Sequence, residues 1–212
     1  MRREVEMELA RRALRHALDG TTDQADGVME MPVVAYTDEK RLEQEMRRIF
    51  HQLPQAVAFS VELPTAGAYR AITILGTPLL LVRDDGGEVR AFLNICRHRG
   101  ARLCDDGCGT ARVFACPYHA WAYGRDGKLV GRFGAESFGP VDAAEHGLVT
   151  LPCEEKLGLI WVMLDGSVPL DLDNWLGDFA EELASLRLHE WQIHAQRELS
   201  GPGWKVTMDG YL

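Results

Sequence analysis

The chain has 212 residues, 46 % of them hydrophobic, and is therefore long enough to bury a sizeable core. Its formal charge of -9 argues against binding to nucleic acid, whose phosphates need an excess of lysine and arginine. We find no secretory leader and no apolar run long enough to cross a bilayer, so we expect a cytoplasmic protein with no membrane partner. Five cysteines, an odd number, then favour metal binding over a disulfide framework.

The first predicted elements are two amphipathic helices. Apolar residues recur at helical spacing over residues 5–18, and a stretch rich in glycine and small polar residues ends that helix. A second apolar stripe covers residues 42–53, with Thr37 or Asp38 as its N-cap and Pro54 as its stop. We assign residues 1–55 to an N-terminal helical segment.

A β-rich domain is predicted next, over residues 56–165. Short runs of β-branched and aromatic residues alternate with turn residues, and RDDGGE (83–88) and GRDGK (124–128) are typical hairpin turns. Strands spaced this closely predict an antiparallel sandwich or small barrel. We expect strands at residues 56–63, 69–75, 78–84, 88–95, 111–115, 119–124, 128–131, 147–152 and 157–164.

The remaining residues, 166–212, are predicted to hold a helix and then a strand. Helical spacing of apolar residues runs from 172 to 186, with Asp171 or Asp173 near its start. The run EWQIHAQREL, residues 190–199, is predicted as a strand.

Two stretches of the predicted β domain each combine one cysteine with one histidine. NICRHRGARL contains Cys96 and His98, and ACPYHAWAYG contains Cys116 and His119. Thiolates suit zinc or iron-sulfur clusters and imidazole suits several metals, so ligand type alone does not decide between them. Two loops that each supply one sulfur and one nitrogen match a [2Fe-2S] cluster with two cysteines on one iron and two histidines on the other.

The stretch CRHRGARLCDDGCGTARVFACPYHAWAYGRDGKLV resembles the Rieske family. The resemblance implies that Cys96 and Cys116 hold the buried iron, and that His98 and His119 hold the outer iron, which takes up the electron. CPYHAWAY is similar to the corresponding loop of ring-hydroxylating oxygenase α subunits, with Ala120 in place of the usual glycine.

Three positions separate this chain from the Rieske proteins of respiratory complexes. Those proteins join their two loops by a disulfide, at places held here by Ala101 and Tyr118, and use a serine hydroxyl where this chain has Trp121. Without that hydroxyl donor the resemblance implies a low potential, near the bottom of the roughly -150 to +300 mV Rieske range.

The end of the chain extends the resemblance. GPGWKVTMDGYL is similar to the N-W-K segment that opens the oxygenase catalytic domain, with Gly203 in place of asparagine. In the family, a carboxylate and a histidine pair follow this segment and hold a mononuclear Fe(II). Because the chain stops at Leu212, we expect that Fe(II) only in a missing catalytic domain, and the role of Asp209 stays open. The implied fold class is mainly β with flanking helices (α+β): a Rieske-type antiparallel β-sandwich or barrel with a cluster-binding subdomain, plus the start of a truncated catalytic domain.

His189 and His194 have the spacing of that histidine pair but precede the WK marker. A strand would turn residues five apart to opposite faces, so we expect ordinary histidines. Cys104 and Cys108 match no family ligand and are expected to be free thiols rather than a second metal site.

The resemblance implies an electron relay. NAD(P)H-derived electrons would come from a ferredoxin or flavin reductase, and would leave for the iron of a neighbouring subunit in an α3 or α3β3 homotrimer. There O2 would hydroxylate or demethylate an aromatic or other small molecule.

Arg97 and Arg99 are candidate contacts for an acidic ferredoxin, although basic loop residues are usually just solvated. The alternatives are an autonomous Rieske-type ferredoxin, which would leave the flanking helices unexplained, and a structural zinc-binding module.

Overall fold

The computed structural model describes residues 3–137 and 139–211. Besides the α-helices, the described residues contain short 3-10 turns at Ser60–Glu62, Ala135–Ser137 and Leu188–Glu190. The α-helices are α1 (Arg3–Asp19), α2 (Val34–Thr37), α3 (Glu39–Glu45), α4 (Leu172–Leu176), α5 (Phe179–Ser185) and α6 (Trp204–Asp209). A π-helical turn, Met46–His51, continues α3.

The strands of the described residues pair antiparallel in three sheets. They are β1 (Gln55–Phe59), β2 (Ala68–Ile74), β3 (Thr77–Arg83), β4 (Val89–Leu93), β5 (Gly107–Thr110), β6 (Val113–Ala115), β7 (Ala122–Gly124), β8 (Leu129–Gly131), β9 (Thr150–Leu151), β10 (Cys153–Lys156) and β11 (Leu159–Val162). The strand orders are β1-β11-β10, β5-β2-β3-β4-β9 and β6-β7-β8. A mainly β fold with flanking helices, as predicted, is confirmed.

The contacts divide the chain into two units: residues 43–198, and residues 1–42 with 199–212. The larger unit contains all three sheets and both Cys/His stretches. In the smaller unit, the hydroxyl of Tyr36 donates to the Asp209 carboxylate and the Lys205 amine donates to the carbonyl of Ala35.

The centre of the five-stranded sheet is buried on both faces, as β3 shows directly. Leu79 and Leu81 pack into one hydrophobic core with residues of β1 and β11. The alternate residues, Leu80 and Val82, pack into a second core, which includes Cys96 and Cys116. Because side chains of a strand alternate between faces, the continuous apolar run of β3 serves both cores. The sheet thereby supports the candidate metal loops on one face.

Both predicted hairpin turns are confirmed. Between β3 and β4, Asp84 accepts hydrogen bonds from the backbone N–H of Gly86 (2.8 Å) and Glu88 (3.0 Å), and from Nε of Arg90 (2.6 Å). Between β7 and β8, the N–H of Gly124 donates to the carbonyl of Lys128 at 2.9 Å.

The prediction of one continuous helix over residues 172–186 is wrong, because the structure has two helices there. The helix is broken into α4 and α5 at Gly177, whose backbone has a left-handed φ of +48°. Glycine adopts such a φ without the steric cost of a Cβ atom, which explains the break. Asp171, one of the two acidic residues expected near the helix start, is the N-cap of α4, since its carboxylate accepts from the N–H of Asn174 at 3.2 Å. Asp38 is confirmed as the predicted N-cap before α3, accepting from Arg41 N–H at 2.7 Å.

The strand predicted over residues 190–199 is also wrong. The chain leaves the Leu188–Glu190 turn as irregular backbone that joins no sheet. Side-chain contacts hold it instead: Trp191 stacks on Phe59 with ring centroids 6.5 Å apart, and Gln196 accepts from Arg70 at 3.1 Å. An alternating pattern predicts which side chains face inward, but a strand also needs a neighbouring strand to satisfy its backbone.

Candidate metal centre

The two Cys/His stretches form matching loops, one between β4 and β5 and the other between β6 and β7. In each loop the cysteine N–H donates to the carbonyl five residues ahead, and the N–H four residues ahead donates back to the cysteine carbonyl. The bonds are Cys96 N to Ala101 O (2.8 Å), Gly100 N to Cys96 O (3.0 Å), Cys116 N to Trp121 O (2.8 Å) and Ala120 N to Cys116 O (2.9 Å). Each loop therefore presents its cysteine and histidine from the same tight turn.

The cysteines and histidines of these loops differ in burial. Cys96 and Cys116 are free thiols, 2 % and 4 % exposed, within the same core. His98 and His119 are partly exposed, and their ring centroids lie 4.8 Å apart. The structure thus brings the two thiols together inside and the two imidazoles together toward the surface.

The Nδ1 atom of His119 is buried and has no hydrogen-bond partner among the described residues. A buried polar nitrogen without a partner is costly, so this atom is one that a metal would satisfy. Burial, followed by the neighbouring charges of His119 and Arg99, lowers the pKa of His98. A lowered pKa favours the neutral imidazole, the form that binds metals.

The four candidate ligands form two pairs, the buried thiols and the outer imidazoles. Within residues 3–137 and 139–211, no group of three or more His, Cys, Asp or Glu side chains is placed to hold a single ion. A tetrahedral zinc site needs four ligands around one ion, whereas a Rieske cluster needs a cysteine pair on one iron and a histidine pair on the other. The pairs of buried thiols and outer imidazoles fit the two-iron group.

Tyr123, on β7, contacts the candidate centre from within the core and is fully buried. Its hydroxyl lies 3.3 Å from Sγ of Cys96 and accepts from the N–H of Arg97 at 3.0 Å. Since the Arg97 N–H only donates, the phenol keeps its own hydrogen for the sulfur. Burial, the bond to Cys96 and the charges of Cys96 and Cys116 raise the pKa of Tyr123, which keeps it a donor.

Asn94 holds the first loop closed. Its fully buried side chain accepts from the N–H groups of Leu103 (3.2 Å) and Cys104 (3.1 Å) and donates to the carbonyl of Cys104 (2.7 Å). These three bonds tie the residue before the loop to the residues after it. The loop geometry thus depends on an amide inside the protein as well as on its own turn.

Sequence reasoning missed Asn94 and Tyr123 as parts of this site, and also His146, which packs edge-on against Trp121. Asn94 and Tyr123 do lie inside the two quoted stretches, so their proximity to Cys96 and Cys116 was a usable signal. His146 lies beyond β8 and carries no such signal, because only the fold brings it to Trp121.

The other sequence candidates lie outside the centre. Cys104 and Cys108 form no disulfide, and burial raises the pKa of Cys104. His189 lies in a 3-10 turn with its side chain 66 % exposed, and His194 lies in the irregular segment that follows. Arg97 and Arg99 are exposed on either side of His98.

The chain is similar to known Rieske proteins. Residues 54–138 match the family model of the Rieske [2Fe-2S] domain. The chain is 32 % identical over 201 residues to the glycine betaine monooxygenase oxygenase subunit of Chromohalobacter salexigens, covering 92 % of this chain and 44 % of that protein. It is 38 % identical over 144 residues to the biphenyl 2,3-dioxygenase α subunit of Rhodococcus jostii, covering 68 % of this chain and 31 % of that subunit.

A crystal structure of the quaternary ammonium Rieske monooxygenase CntA superposes with a TM-score of 0.68 and 31 % identity. The match covers 74 % of this chain and 43 % of CntA. The chain therefore spans less than half the length of the relatives it matches. Among the described residues, no helix is both long and apolar enough to cross a membrane. The chain contains a Rieske [2Fe-2S] domain, and its relatives are Rieske oxygenase α subunits, whose N-terminal part it matches.

Proposed function

We propose that this chain relays single electrons through a Rieske [2Fe-2S] cluster held by Cys96, His98, Cys116 and His119, as part of an oxygenase. The observation that carries the proposal is the unpartnered, buried Nδ1 of His119, whose ring contacts His98 and whose loop also supplies the buried Cys116. When bound, the cluster supplies one-electron storage, with the electron on the histidine-ligated iron.

The residues of the chain have separate roles in this proposal. Cys96 and Cys116, sealed in the core, keep water from the sulfur-ligated iron. His98 and His119 reach the surface and offer the path by which an electron enters or leaves. The Tyr123 hydroxyl donates to Cys96 Sγ and stabilises the extra negative charge of the reduced state.

The charge of the cluster-binding segment supports an acidic electron donor. Residues 94–132 contain six arginines and one lysine against three aspartates, a net +4 within a chain of -9. A segment with excess positive charge attracts an acidic protein and orients it during encounter. We therefore propose an acidic ferredoxin, rather than a neutral reductase, as the direct donor.

The length of chain that matches oxygenase subunits favours a part of an oxygenase over an autonomous ferredoxin. The glycine betaine monooxygenase match covers 92 % of the chain, well beyond the 54–138 segment of the Rieske domain itself. We propose that the complete protein adds a mononuclear Fe(II) site, acts on a small molecule with O2 and assembles as a homotrimer in the cytoplasm. The matched proteins include enzymes named for quaternary ammonium compounds and for an aromatic hydrocarbon, and both substrate classes remain candidates.

Metal and sulfide analysis of the anaerobically purified chain, with EPR after dithionite reduction, tests the assignment. We expect about two irons and two sulfides per chain and a low average g value, because histidine ligation distinguishes this cluster from an all-cysteine one. The His119→Ala variant should lose the cluster, since it lacks the imidazole that satisfies one iron. His189→Ala, which removes an exposed histidine far along the chain, should retain it.

One zinc per chain with no EPR signal after reconstitution would contradict the proposal. So would a cluster retained in His119→Ala with unchanged g values, because His119 would then not be a ligand.

A further inference from the structure

The two loops of the candidate centre are held together by side chains. Within the part of the chain that the structure describes, no backbone hydrogen bond runs from residues 96–101 to residues 116–121, and none of the five cysteines forms a disulfide. A cluster that takes one cysteine and one histidine from each loop needs the loops in a fixed relation. At the buried end, the Tyr123 hydroxyl of β7 contributes to this relation by its bonds to Cys96 Sγ and to the N–H of Arg97.

Trp121 makes the corresponding contact at the histidine end. Its indole ring lies nearly parallel to the imidazole of His98, at 7° and with ring centroids 4.9 Å apart. These values are those of a stacked aromatic pair. The indole is 3 % exposed and packs in the same core as Cys96 and Cys116. Trp121 therefore joins the end of the second loop to the histidine of the first.

The stack also limits the orientation of the His98 ring. The χ2 torsion of a histidine has broad energy wells, so the ring plane is set by what the ring contacts. A metal-binding imidazole works best when its surroundings fix that plane. Trp121 can do so because its own ring is buried and is contacted in turn by His146, with ring centroids 5.8 Å apart. Turning the His98 ring would separate it from the flat indole.

His119 is held in a different way. Its ring contacts Tyr118, the preceding residue of the same loop, with ring centroids 3.7 Å apart and planes at 36°. The Tyr118 side chain is 59 % exposed. A contact inside one loop does not join that loop to the other. The stack of Trp121 on His98 does join them, through a residue that is not itself a candidate ligand.

We propose that Trp121 is a positioning residue, which fixes the plane of the His98 imidazole and holds the two loops together at their histidine end. This inference rests on the proposed function, because it needs a cluster bound at His98. Loss of the indole leaves the His98 ring free to turn and lets the first loop move away from the second. Chelators then reach the bound iron more often, while the sheets below keep their structure.

Two substitutions at Trp121 test the inference in the cluster-loaded chain. Trp121→Leu keeps an apolar side chain but removes the ring, whereas Trp121→Phe keeps a flat ring that can stack on His98. The first measurement is the rate at which the dithionite-reduced chain loses iron to a ferrous-iron chelator. We expect Trp121→Leu to raise this rate about tenfold, equivalent to about 1.4 kcal/mol in the barrier. Trp121→Phe should stay within about threefold of the parent rate.

The second measurement is pulsed EPR of the reduced chain labelled with 15N-histidine. It gives the coupling of each bound imidazole nitrogen to the unpaired electron, which depends on the orientation of the ring. Trp121→Leu should broaden the coupling of one nitrogen, that of His98, and leave the other unchanged. Trp121→Phe should keep both parent couplings. A general loss of stability would not produce a change at one nitrogen.

Trp161→Leu is the matched control. Trp161 is also buried, at 7 % exposed, but packs in a separate core with residues of α4 and α5. Its loss should lower the free energy of unfolding in urea and leave the iron-release rate and both nitrogen couplings at their parent values. Failure of Trp121→Leu to retain a cluster, under conditions in which Trp121→Phe and Trp161→Leu retain it, is the expected effect at its limit.

The inference is overturned if either measurement is unchanged in Trp121→Leu, if Trp121→Phe behaves like Trp121→Leu, or if Trp161→Leu has an equal effect. Iron and sulfide contents are measured before either readout. A parent chain without a cluster therefore counts against the proposed function, and a loaded Trp121→Leu chain that behaves like the parent counts against Trp121 alone.

Discussion

At the scale of single residues, the Tyr123 hydroxyl is the feature that most directly sets the redox properties of the proposed cluster. It donates to Cys96 Sγ at 3.3 Å, and a hydrogen bond to a cluster ligand favours the more negative, reduced state. We expect Tyr123→Phe to lower the midpoint potential by roughly 60 mV, the shift that a tenfold loss of preferential stabilisation gives a one-electron couple. Potentiometric titration followed by EPR measures the change.

Tyr69→Phe is the matched control for this substitution. Tyr69 packs against Phe114 in the same core, with ring centroids 5.3 Å apart, so its variant also removes one hydroxyl from that region. Its potential should match that of the parent chain. An unchanged potential in Tyr123→Phe, or an equal shift in both variants, would show that the bond to Cys96 has no specific effect.

At the scale of loops and strands, the sequence predicted best where a local rule is sufficient. The two hairpin turns, the N-cap Asp38, the acidic helix start at Asp171 and the apolar run of β3 all depend on residues close along the chain. Elements that need a distant partner were mispredicted. The alternating residues 190–199 have no neighbouring strand, and β10 was overlooked because CEEK, with two acidic residues, owes its strand to pairing with β11.

The candidate centre likewise has parts that the sequence predicts and parts that only the fold creates. Its four proposed ligands could be read from the spacing of Cys96, His98, Cys116 and His119, since each loop is a single turn. The contact from His146 could not be read, because it depends on how the chain returns after β8. Ala120 was noted as a departure from the family, but its left-handed backbone is visible only in the structure.

The left-handed backbone of Ala120 is strained, and a glycine at this position would adopt it without strain. Its φ is +52°, and the equivalent residue of the first loop, Gly100, has a φ of +69°. An L-residue in this region costs about 1–2 kcal/mol, part of which glycine loses again through the greater freedom of the unfolded chain. We expect Ala120→Gly to raise the free energy of unfolding by about 0.5–1 kcal/mol, measured by urea denaturation at equal cluster content.

Gly100→Ala is the reciprocal test. A Cβ atom added at Gly100 would meet nothing within 4 Å, so the backbone strain is the only expected cost. This variant should be destabilised by about 1 kcal/mol. If Ala120→Gly lowered the stability, or if Gly100→Ala left it unchanged, the φ values would not be the cause.

At the scale of the whole molecule, charge is distributed unevenly along the chain. Residues 94–132 have a net charge of +4, so the rest of the chain carries -13. The overall charge of -9 alone predicts repulsion of an acidic protein, whereas the local excess predicts attraction at the candidate centre. The local charge is the one that matters for an approaching protein, because these residues belong to the loops and hairpins that include the candidate centre.

This distribution predicts how salt affects reduction by an acidic ferredoxin. Raising the ionic strength from about 0.05 to 0.5 M should lower the second-order rate constant about tenfold, because salt screens the attraction between exposed charges. The double variant Arg97→Ala/Arg99→Ala should be slower at low salt and less sensitive to added salt, since both side chains are exposed beside His98.

Arg47→Ala/Arg48→Ala is the control, because it removes two exposed arginines from the π-helical turn and should keep the parent salt dependence. Stopped-flow rates across a salt series measure these differences. A parent rate constant that rose with salt, or an equal loss in both double variants, would show that the total charge governs the encounter and that the basic segment does not guide it.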